Sequence, residues 1–489
     1  MRVIMATTTT ADKIGGGQAN WPDKAVYTAD NLPIMLGMNS ACVDLIYLDP
    51  PFNSNKSFSA PIGSKAAGAS FDDAWTLKQV DITEWYLLGE KHEVLGAKLK
   101  SVLKAARFTH GDSMFSYLLF MSNRLIECHR ILKDTGSLYL HCDSHASHYL
   151  KLILDCIFGK ASFRNEITWK RKTSPGSEKS IVNAHDTIYY YTKTTKFTFN
   201  QQYLPYSQEY IDEWFKHEDS HGKYMSQNIV ATPSLQGGGS HYTYNGYTPD
   251  RGWLVNKGKL TEMDKDGRIL WPKKPGGVPR RKQYLHEGLG VQLYSIWTDI
   301  KHAQGRERTG YRTQKPLALL ERIIKASSNE GDLVFDPFCG CATTMVVANR
   351  LNRNWIGIDI SSKAVELVID RIRDDGGLFA EISHETKIPV RTDLGPELTE
   401  PQKKAHKKEL FIAQNLKCNN PHCFYDVAVR DIDHALSNVD LDRIVPPKLG
   451  GGYYKGNLQV LCRGCNTKKS DRKWEDFLAE YEKIKQVLI

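Results

Sequence analysis

Several features that would assign a chain to a broad class are missing from this sequence. It has no apolar run of eighteen or more residues, so no membrane-spanning helix is expected. The first residues, MRVIMATTTTADKIGGG, lack the apolar stretch of a secretory signal, so we expect a flexible segment over 1–20 and a cytoplasmic location. Internal repeats are absent as well. The 489 residues are 41% hydrophobic, which is enough for two or three domains with buried cores.

Positive charge is concentrated in one stretch. The net charge is +9, and residues 251–282 hold ten lysines and arginines against three acids, a local excess of +7. Glycines, prolines, Trp253 and Trp271 are interleaved with these charges. A solvated surface is one explanation, but the mixture of basic and aromatic residues favours contact with a polyanion such as nucleic acid. The basic residues expected to make that contact are Lys273, Lys274, Arg280, Arg281 and Lys282.

Strand-like runs alternate with helical runs through most of the chain. Apolar runs typical of strands cover 25–30, 43–49, 137–142, 167–171, 187–193, 332–336 and 355–359. Helical periodicity covers 112–133, 145–158, 316–327 and 342–351. This alternation predicts a parallel sheet with helices on both faces. The rhythm breaks over about 200–295, which predicts a separate recognition region, and the polar stretch 384–405 is typical of a linker.

The tetrapeptide Asp49-Pro50-Pro51-Phe52 directly follows the apolar run VDLIYL. An exocyclic amine on a nucleobase is a weak nucleophile, because its lone pair is delocalised into the ring. A carboxylate that accepts an N–H bond, together with a carbonyl fixed by rigid prolines, can hold such an amine in a reactive geometry. An aromatic ring can stack on the base. Asp49, the Pro50 carbonyl and Phe52 suit these roles, and a proline-rich turn without chemistry is the alternative.

A second motif, Asp336-Pro337-Phe338-Cys339-Gly340-Cys341-Ala342-Thr343-Thr344, follows the apolar run DLVF. Small residues at a strand-to-helix turn let the backbone approach a ligand closely. Asp359 ends the next strand-like run, where an acid can accept hydrogen bonds from ribose hydroxyls. This pair suits an adenosyl cofactor better than a nucleotide phosphate, because no Gly-Lys-Ser/Thr follows. Packing of a helix on a sheet by small residues is the alternative.

The order of these motifs resembles the amino-methyltransferases of DNA, in the permuted arrangement called the beta class. In that family the DPPF-type catalytic motif precedes a recognition insert and the cofactor motif follows it. Further matches are Tyr27–Asn31, Ser137–Asp143 and the TQKP segment Thr313–Pro316. The resemblance covers about residues 20–372 and implies an α/β fold, a permuted Rossmann-like methyltransferase sheet with an inserted target-recognition region.

The resemblance also implies S-adenosyl-L-methionine as the methyl donor and double-stranded DNA as the partner. The catalytic domain would comprise 21–199 and 296–383, and the target-recognition region 200–295. The catalytic residues would be Asp49, Pro50, Pro51 and Phe52. The residues that bind the cofactor would be Asp30, Lys315, Pro316, Asp336, Pro337, Phe338, Gly340, Ala342, Thr343 and Asp359.

Two positions depart from the family's pattern. Ala342 stands where glycine is usual, and alanine is small enough to replace it unless that residue needs a positive φ. Arg312 stands where proline is common before TQKP, and we expect only a minor effect on that loop.

Asp49 favours N6 of adenine as the methylated atom, since the family uses Ser at this position mainly for N4 of cytosine. Methylation of a cytosine ring carbon is not expected, because it needs a nucleophilic cysteine, usually in a Pro-Cys pair, and the sequence has no such pair. Cys339 is therefore interpreted as a packing residue. Methylation of cytosine N4 stays open, as do RNA as the substrate and a DNA-binding protein that uses the fold without chemistry.

Four of the ten cysteines form two close pairs near the C-terminus. Cys418 and Cys423 have C-x4-C spacing, and Cys462 and Cys465 have C-x2-C spacing. In a cytosolic protein such pairs favour a closed tetrahedral zinc site over disulfides or buried free thiols. A small polar domain at 406–489 would have little core, so a structural Zn2+ would supply part of its folding free energy.

The region around the second cysteine pair resembles a zinc-braced HNH nuclease module with the ββα-metal fold. In that family an Asp binds a divalent metal such as Mg2+, and the following His activates water. Asp442, Asn457 and Asn466 match the family, but Arg443 occupies the position of the His. Arginine stays protonated and cannot act as a general base near pH 7, although the nearby His434 is a conceivable substitute.

This departure favours a DNA-binding module with weak or no cleavage. A fused modification-and-cleavage enzyme that uses Mg2+ stays open. The sequence also leaves open a separate restriction endonuclease as the partner of the methyltransferase, and a homodimer.

Overall fold

The structure is a computed structural model, and it describes most of the chain. The described residues are 17–53, 57–59, 64, 70–72, 75, 88, 93–171, 181–232, 239–274, 276–311, 313–376, 382–393, 397–414, 416–421, 423, 432–447, 451–454, 457–472, 474 and 476–478. Most of the segment 1–20, which the sequence predicts to be flexible, and Arg312, which precedes the TQKP segment, therefore lie outside the described residues. The chain divides into two compact units, residues 1–200 with 295–489, and residues Gln201–Tyr294.

The elements follow one another along the chain in three groups. Before residue 201 they are β1 (Ala25–Thr28), α1 (Asn31–Gly37), β2 (Val43–Leu48), β3 (Ser57–Ser59), β4 (Ser70–Asp72), α2 (Glu93–Ile131, kinked at Gly111), β5 (Leu132–Cys142), α3 (Ser147–Phe158), β6 (Phe163–Lys170) and β7 (His185–Thr192). Within 201–294 they are β8 (Tyr203–Leu204), α4 (Gln208–Trp214), β9 (His217–Asp219), β10 (Gly222–Asn228), α5 (Lys257–Lys265), β11 (Ile269–Leu270), β12 (Arg280–Tyr284) and β13 (Val291–Gln292). From residue 295 they are β14 (Ile296–Trp297), α6 (Leu317–Ser327), β15 (Leu333–Asp336), α7 (Thr343–Arg350), β16 (Asn354–Asp359), α8 (Ser362–Gly376), β17 (Ser383–Glu385), α9 (Glu400–Ala413), α10 (Ile432–Ser437), β18 (Val439–Arg443), β19 (Leu458–Cys462) and α11 (Arg463–Lys469).

The larger unit is built on a nine-stranded sheet in the order β14-β6-β7-β5-β2-β15-β16-β1-β17. The two strands that carry the motifs are neighbours, since β2 pairs in parallel with β15 through Leu45 opposite Val334 and Ile46 opposite Phe335. The prediction of a purely parallel sheet was wrong for one strand, because β7 runs antiparallel to both β5 and β6. A strand buried on both faces has a continuous apolar sequence, and such a sequence carries no sign of direction.

The interior of this sheet is apolar because its strands and helices each bury a hydrophobic face. In β2, VDLIYL, all residues but Asp44 are buried. α6 buries Leu319, Leu320, Ile323 and Ile324 at helical spacing, which is the pattern of an amphipathic helix packed on a sheet. None of the helices in the described ranges is both long and apolar enough to cross a membrane.

The unit Gln201–Tyr294 has a small core of its own. Its four-stranded sheet has the order β11-β12-β10-β9 and is antiparallel. The buried residues of the core are Ile229, Trp253, Leu260, Met263 and Ile269. The range of this unit is close to the segment 200–295 that the break in sequence rhythm marks.

Candidate active site

Three carboxylates lie at the carboxyl ends of adjacent parallel strands. Asp49 follows β2, Asp336 ends β15, and Asp359 ends β16. β15 lies between β2 and β16 and is parallel to both, so the three strand ends meet at one edge of the sheet. This edge is where ligands bind in open α/β sheets.

The side chain of Lys315 contacts the first of these carboxylates. Its Nζ donates to Oδ1 of Asp49 at 2.7 Å and to Oδ2 at 2.6 Å. It also lies 5.3 Å from the centre of the Phe52 ring, within the range of a cation–π contact. Only 9% of Lys315 is exposed, and its backbone carbonyl accepts a hydrogen bond from Thr343 Oγ1 at 3.2 Å. The TQKP segment thus connects the Asp49 turn with the loop that starts α7.

A buried polar cluster supports Phe52 from behind. The ring of His141 stacks on Phe52 with centroids 5.9 Å apart. The His141 ring is fully buried, with Nδ1 2.9 Å from the Tyr47 hydroxyl and Nε2 3.1 Å from Asp186 Oδ2. Burial alone would raise the pKa of the Asp186 carboxyl, but the hydrogen bond and charge of His141, with the charges of Lys315 and Arg171, hold that pKa below its ordinary value. Sequence reasoning did not assign a role to His141, and the only available signal was its place in the strand SLYLHC.

The turn that carries Asp49 is held by its prolines and by the residue after Phe52. Pro50 is buried, while Pro51 and Phe52 are half-buried. Asn53 has a left-handed φ of 58° and accepts a hydrogen bond from Ser113 on its side-chain oxygen at 2.9 Å. Asparagine tolerates this conformation better than most residues, so the sequence at this position suits the turn.

Asp336 is an almost fully buried carboxyl group, 3% exposed. Thr344 Oγ1 donates to its Oδ2 at 2.6 Å, and the Phe338 amide donates to its Oδ1 at 3.0 Å. Burial raises the pKa of Asp336 to about 7, the two hydrogen bonds oppose this change, and the charges of Asp49 and Asp359 add to it. A group that titrates near neutrality at the end of a central strand is typical of a ligand site.

The loop after β15 turns sharply at Gly340 and is braced by Asp359. The Gly340 amide donates to Asp359 Oδ2 at 2.9 Å, and the Ser361 amide donates to Oδ1 at 2.8 Å. Gly340 has a φ of 49°, and a side chain on it would lie 3.4 Å from the ring of Tyr311. Burial raises the pKa of Asp359 as well. Directly after it, Ile360 is 76% exposed, an apolar side chain that sequence reasoning did not single out.

Ala342 meets the condition under which alanine is not equivalent to glycine. Its φ is 71° and its ψ 18°, a left-handed conformation at the start of α7. For an L-residue with a Cβ this conformation costs roughly 1–2 kcal/mol. The loop therefore tolerates alanine, but with local strain that glycine would not have.

Asp30 lies at the start of α1, next to the same loop. Its carboxylate accepts from the Leu32 amide at 2.9 Å and from Arg124 Nη2 at 2.9 Å. The neighbouring Asn31 accepts from Arg124 Nε at 2.6 Å and donates to the Pro337 carbonyl at 2.8 Å. About half of the Asp30 side chain remains exposed, so Asp30 can still accept a hydrogen bond from a ligand.

The basic residues expected to contact DNA fall into two groups. Lys273 and Lys274 are exposed in the turn that follows β11. Arg280, Arg281 and Lys282 lie on β12, which is paired on both sides. Their side chains already have partners within this unit: Ser226 for Arg280, Gln227 for Arg281 and Asp219, at 2.7 Å, for Lys282.

The four C-terminal cysteines come together. Their sulfur atoms all lie within 4.8 Å of one another, and those of Cys423 and Cys462 are 3.6 Å apart. Backbone amides point at two of the sulfurs, from Cys462 to Cys418 at 3.3 Å and from Cys465 to Cys462 at 3.4 Å. A zinc ion with four thiolates at about 2.3 Å needs sulfurs roughly 3.8 Å apart, so this cluster fits the ion.

The nuclease-like residues beside this cluster are engaged in contacts of another kind. The carboxylate of Asp442 accepts from Gln459 at 2.9 Å and pairs with Lys469 Nζ at 3.1 Å. Lys469 is 1% exposed and also donates to the Arg443 carbonyl at 2.8 Å. A buried ammonium group thus occupies the carboxylate that would have to bind Mg2+, so Asp442 does not fit that role.

The remaining matches to the nuclease pattern are structural as well. The Asn457 side chain bridges the loop before β19, with bonds to the Val445 backbone and to the Gly452 carbonyl. Asn466 donates to Asp440 at 3.1 Å, and the guanidinium of Arg443 lies 4.7 Å from the Tyr453 ring.

Comparison with known proteins agrees with the geometry of the sheet edge. The profile of a family described as DNA methylase (N6_N4_Mtase) matches residues 43–370. The type II methyltransferase M.EcaI of Enterobacter cloacae is 32% identical over 356 residues, 72% of this chain and 69% of that protein. The StyLTI Mod subunit, part of a type III restriction-modification enzyme of Salmonella typhimurium, is 29% identical over 66% of this chain, which spans only 49% of that subunit. The type II methyltransferase M.HpaI of Haemophilus parainfluenzae is 28% identical over 55% of this chain and 64% of its own length.

The matched range contains the Asp49 turn, Lys315 and the Asp336 loop. Because the profile covers well over half of the chain, and M.EcaI is similar over most of both lengths, this chain belongs to the DNA methylase family.

Proposed function

We propose that this protein transfers a methyl group from S-adenosyl-L-methionine to the exocyclic amino nitrogen of a base in double-stranded DNA, namely N6 of adenine. The observation that carries the proposal is the meeting of two turns at one sheet edge. The turn of Asp49 and Phe52 lies beside the loop of Asp336 and Gly340, and Lys315 contacts both.

The edge suits a cofactor that carries positive charge and an adenosyl group. Asp336 and Asp359 are carboxylates with pKa values raised by burial, and a nearby cation would stabilise their ionised forms. The sharp turn at Gly340 brings backbone close to the ligand space, and the exposed side chain of Ile360 offers an apolar wall for a flat ring. When bound, S-adenosyl-L-methionine supplies an electrophilic methyl group.

The residues of the chain would hold and activate the amine. Asp49 accepts an N–H bond from the amine, and the Pro50 carbonyl, fixed between two rigid residues, accepts the other. Phe52, supported by His141, stacks on a base that has left the helix. As the new N–C bond forms, the bond between that methyl group and sulfur would break, and the bonding electrons would leave with the neutral thioether. The amine would then lose one proton, and the Asp49 carboxylate is the adjacent acceptor.

Label transfer to DNA tests this proposal. Wild-type protein should move tritiated methyl groups from S-adenosyl-L-methionine to unmethylated plasmid DNA, and sequencing that detects modified bases should place them on adenine N6. Asp49→Ala should abolish transfer while the protein still binds the cofactor. The mostly exposed Asp134 provides a control, since Asp134→Ala should leave transfer unchanged. Transfer at the normal rate by Asp49→Ala would refute the mechanism, and modification of cytosine N4 would correct the base.

The residues 200–295 would form the target-recognition region, in which the exposed Lys273 and Lys274 contact phosphates, while Arg280, Arg281 and Lys282 already have side-chain partners within their own sheet. The residues 21–199 and 296–383 would form the catalytic domain. The loop that carries Lys273 and Lys274 is exposed, whereas Lys282 is already neutralised by Asp219. This difference favours the turn over the strand as the phosphate contact.

The C-terminal module would bind DNA and be braced by Zn2+ at Cys418, Cys423, Cys462 and Cys465. It would not cut DNA, because Asp442 is paired with a buried lysine and Arg443 cannot act as a base. Cleavage in a restriction-modification system would then come from a separate endonuclease. A plasmid-nicking assay with Mg2+ or Mn2+ tests this, and cutting that is lost in Asn457→Ala would overturn it.

A further inference from the structure

We propose that the ammonium group of Lys315 stands in for the amino group of the target base in the base-free protein, and leaves Asp49 when a base enters. This inference rests on the proposed function, because the target amine is assigned to the same side chains that Lys315 contacts. It makes Lys315 a positioning residue that competes with the base for its site.

The contacts of Lys315 match those expected of the target base. Its Nζ donates to both carboxylate oxygens of Asp49, at 2.7 and 2.6 Å, and lies over the ring of Phe52. An amino group on a stacked base would donate to the same carboxylate and lie beside the same ring. A base amine that donates to Asp49 beside the Phe52 ring would therefore compete with the ammonium for the same carboxylate and the same space.

The burial of the site gives a physical reason for such a residue. The side chain of Asp49 is 17% exposed, and an unpaired carboxylate in so enclosed a place is unfavourable. Lys315 removes this cost while the site is empty of base. When the base is present, its amino group donates to Asp49 and removes the cost of an unpaired carboxylate in the same way. Entry of the base therefore replaces the ammonium of Lys315 with the base amine as the partner of Asp49.

Lys315 can leave without movement of the backbone. Its own carbonyl is held by Thr343, and Pro316 follows it at the start of α6, so the main chain is fixed. The four-carbon stem of lysine is flexible and lets the ammonium swing away. A second carboxylate lies within electrostatic reach of Lys315, namely Asp186. Its Oδ1 is ion-paired with Arg171 Nε at 3.3 Å but receives no hydrogen bond from the described residues, so it can still accept one.

A series of three variants tests the inference. Lys315→Met removes the charge but keeps the length, and Lys315→Arg keeps the charge with a fork that binds a carboxylate more firmly. Lys325→Met, on the exposed side of α6, controls for the loss of one positive charge. The rates of label transfer from S-adenosyl-L-methionine to unmethylated plasmid DNA give kcat, and the KM for DNA, for each protein.

We expect the KM for DNA to be lowest in Lys315→Met, intermediate in the wild type and highest in Lys315→Arg. The kcat should change less than the KM. The KM for DNA should be about tenfold lower with Met than with Lys at position 315, because the ammonium no longer competes through its charge-assisted hydrogen bonds to Asp49. A purely structural role predicts another order, in which Arg behaves like the wild type and Met is impaired. A KM for Lys315→Met equal to or above that of the wild type would overturn the inference.

A binding measurement separates this inference from the proposed function. Nuclear magnetic resonance titration with 2′-deoxyadenosine or 2′-deoxycytidine, in the presence of saturating S-adenosylhomocysteine, reports entry of a nucleoside beside Phe52 without turnover. Tighter binding by Lys315→Met than by wild type, in a protein that transfers no label, would support the stand-in role and refute methyl transfer. Equal binding by the two proteins, with normal transfer in the wild type, would refute only the stand-in role.

Discussion

Replacing Asp336 by asparagine should stabilise the cofactor-free protein at alkaline pH. The pKa of this carboxyl is raised from 3.8 to about 7, because it is buried beside Asp49 and Asp359. Between these two values the folded protein keeps a proton that the unfolded chain has lost, so the free energy of unfolding falls as the pH rises. At about 1.4 kcal/mol for each pKa unit, the loss across the whole window is on the order of 4 kcal/mol.

The asparagine side chain has the same shape and carries no charge. Its oxygen can accept from the Phe338 amide as Asp336 Oδ1 does, and its amide can face Thr344, whose hydroxyl can rotate to accept. Asp336→Asn should therefore match the wild type near pH 4 and exceed it by up to about 4 kcal/mol near pH 8. The same change should weaken binding of the cationic cofactor, since an ionised Asp336 would attract it.

Urea unfolding of wild type, Asp336→Asn and the surface control Asp134→Asn at pH 4, 6 and 8 measures this difference. Only Asp336→Asn should flatten the dependence of stability on pH. Calorimetric titration of the wild type with S-adenosyl-L-methionine near pH 7, in buffers of different ionisation enthalpy, should show release of protons as the cofactor binds. If Asp336→Asn is no more stable than the wild type at pH 8, the carboxylate is compensated in the fold and the argument fails.

Three further predictions concern single features of the fold. Ala342→Gly should raise the free energy of unfolding by up to about 1 kcal/mol, because glycine adopts the left-handed conformation without strain. The reverse change at the exposed, left-handed Gly267, Gly267→Ala, should lower the free energy of unfolding and provides the comparison. An unchanged urea midpoint for Ala342→Gly would show that Ala342 is not strained. Cys465→Ser should reduce the zinc content measured by mass spectrometry from one ion per chain to near zero, and should lower the melting temperature. The control Cys156→Ser should change neither quantity. Full zinc content in Cys465→Ser would exclude the four-sulfur site. The double variant Lys273→Ala with Lys274→Ala should weaken DNA binding. The slope of log affinity against log salt concentration should become shallower by the amount expected for about two phosphate contacts. Lys325→Met should leave this slope unchanged, and an unchanged slope in the double variant would place the phosphate contact elsewhere.

The sequence was informative where function depends on a short run of residues at the end of a strand. The Asp49 turn and the Asp336 loop each follow an apolar run that forms a buried strand, so their location at the ends of strands follows from local pattern alone. The four cysteines are a similar case, because their spacing in the sequence already indicates the cluster that their sulfur atoms form. The direction of β7 could not be predicted, since a buried strand has the same composition in either direction.

Contacts between distant residues were beyond reach for a different reason. Lys315 and Asp49 are 266 positions apart, and nothing in either segment indicates that one neutralises the other. Lys469 likewise has no local feature that marks it as the partner of Asp442. The left-handed conformation of Ala342 was also hidden, because alanine itself gives no signal of positive φ. The contacts of Lys315 and Lys469 depend on the order in which distant segments pack in the fold, and the periodicity of side chains along the sequence does not encode that order.

The unfavourable features of this fold gather at a few positions, and their distribution bears on function. A buried carboxyl group at Asp336 and a left-handed alanine at position 342 lie within one loop, and each costs stability that an asparagine or a glycine would restore. A sequence optimised for stability alone would have neither. The buried carboxyl group of Asp336 is explained if this edge binds a cation. The bound positive charge would stabilise the ionised carboxylate, and this stabilisation would strengthen binding. Ala342 has no comparable explanation in the geometry, so its replacement by glycine should stabilise the protein without weakening cofactor binding. Replacement of Asp336 by asparagine should also stabilise the protein, but it should weaken cofactor binding.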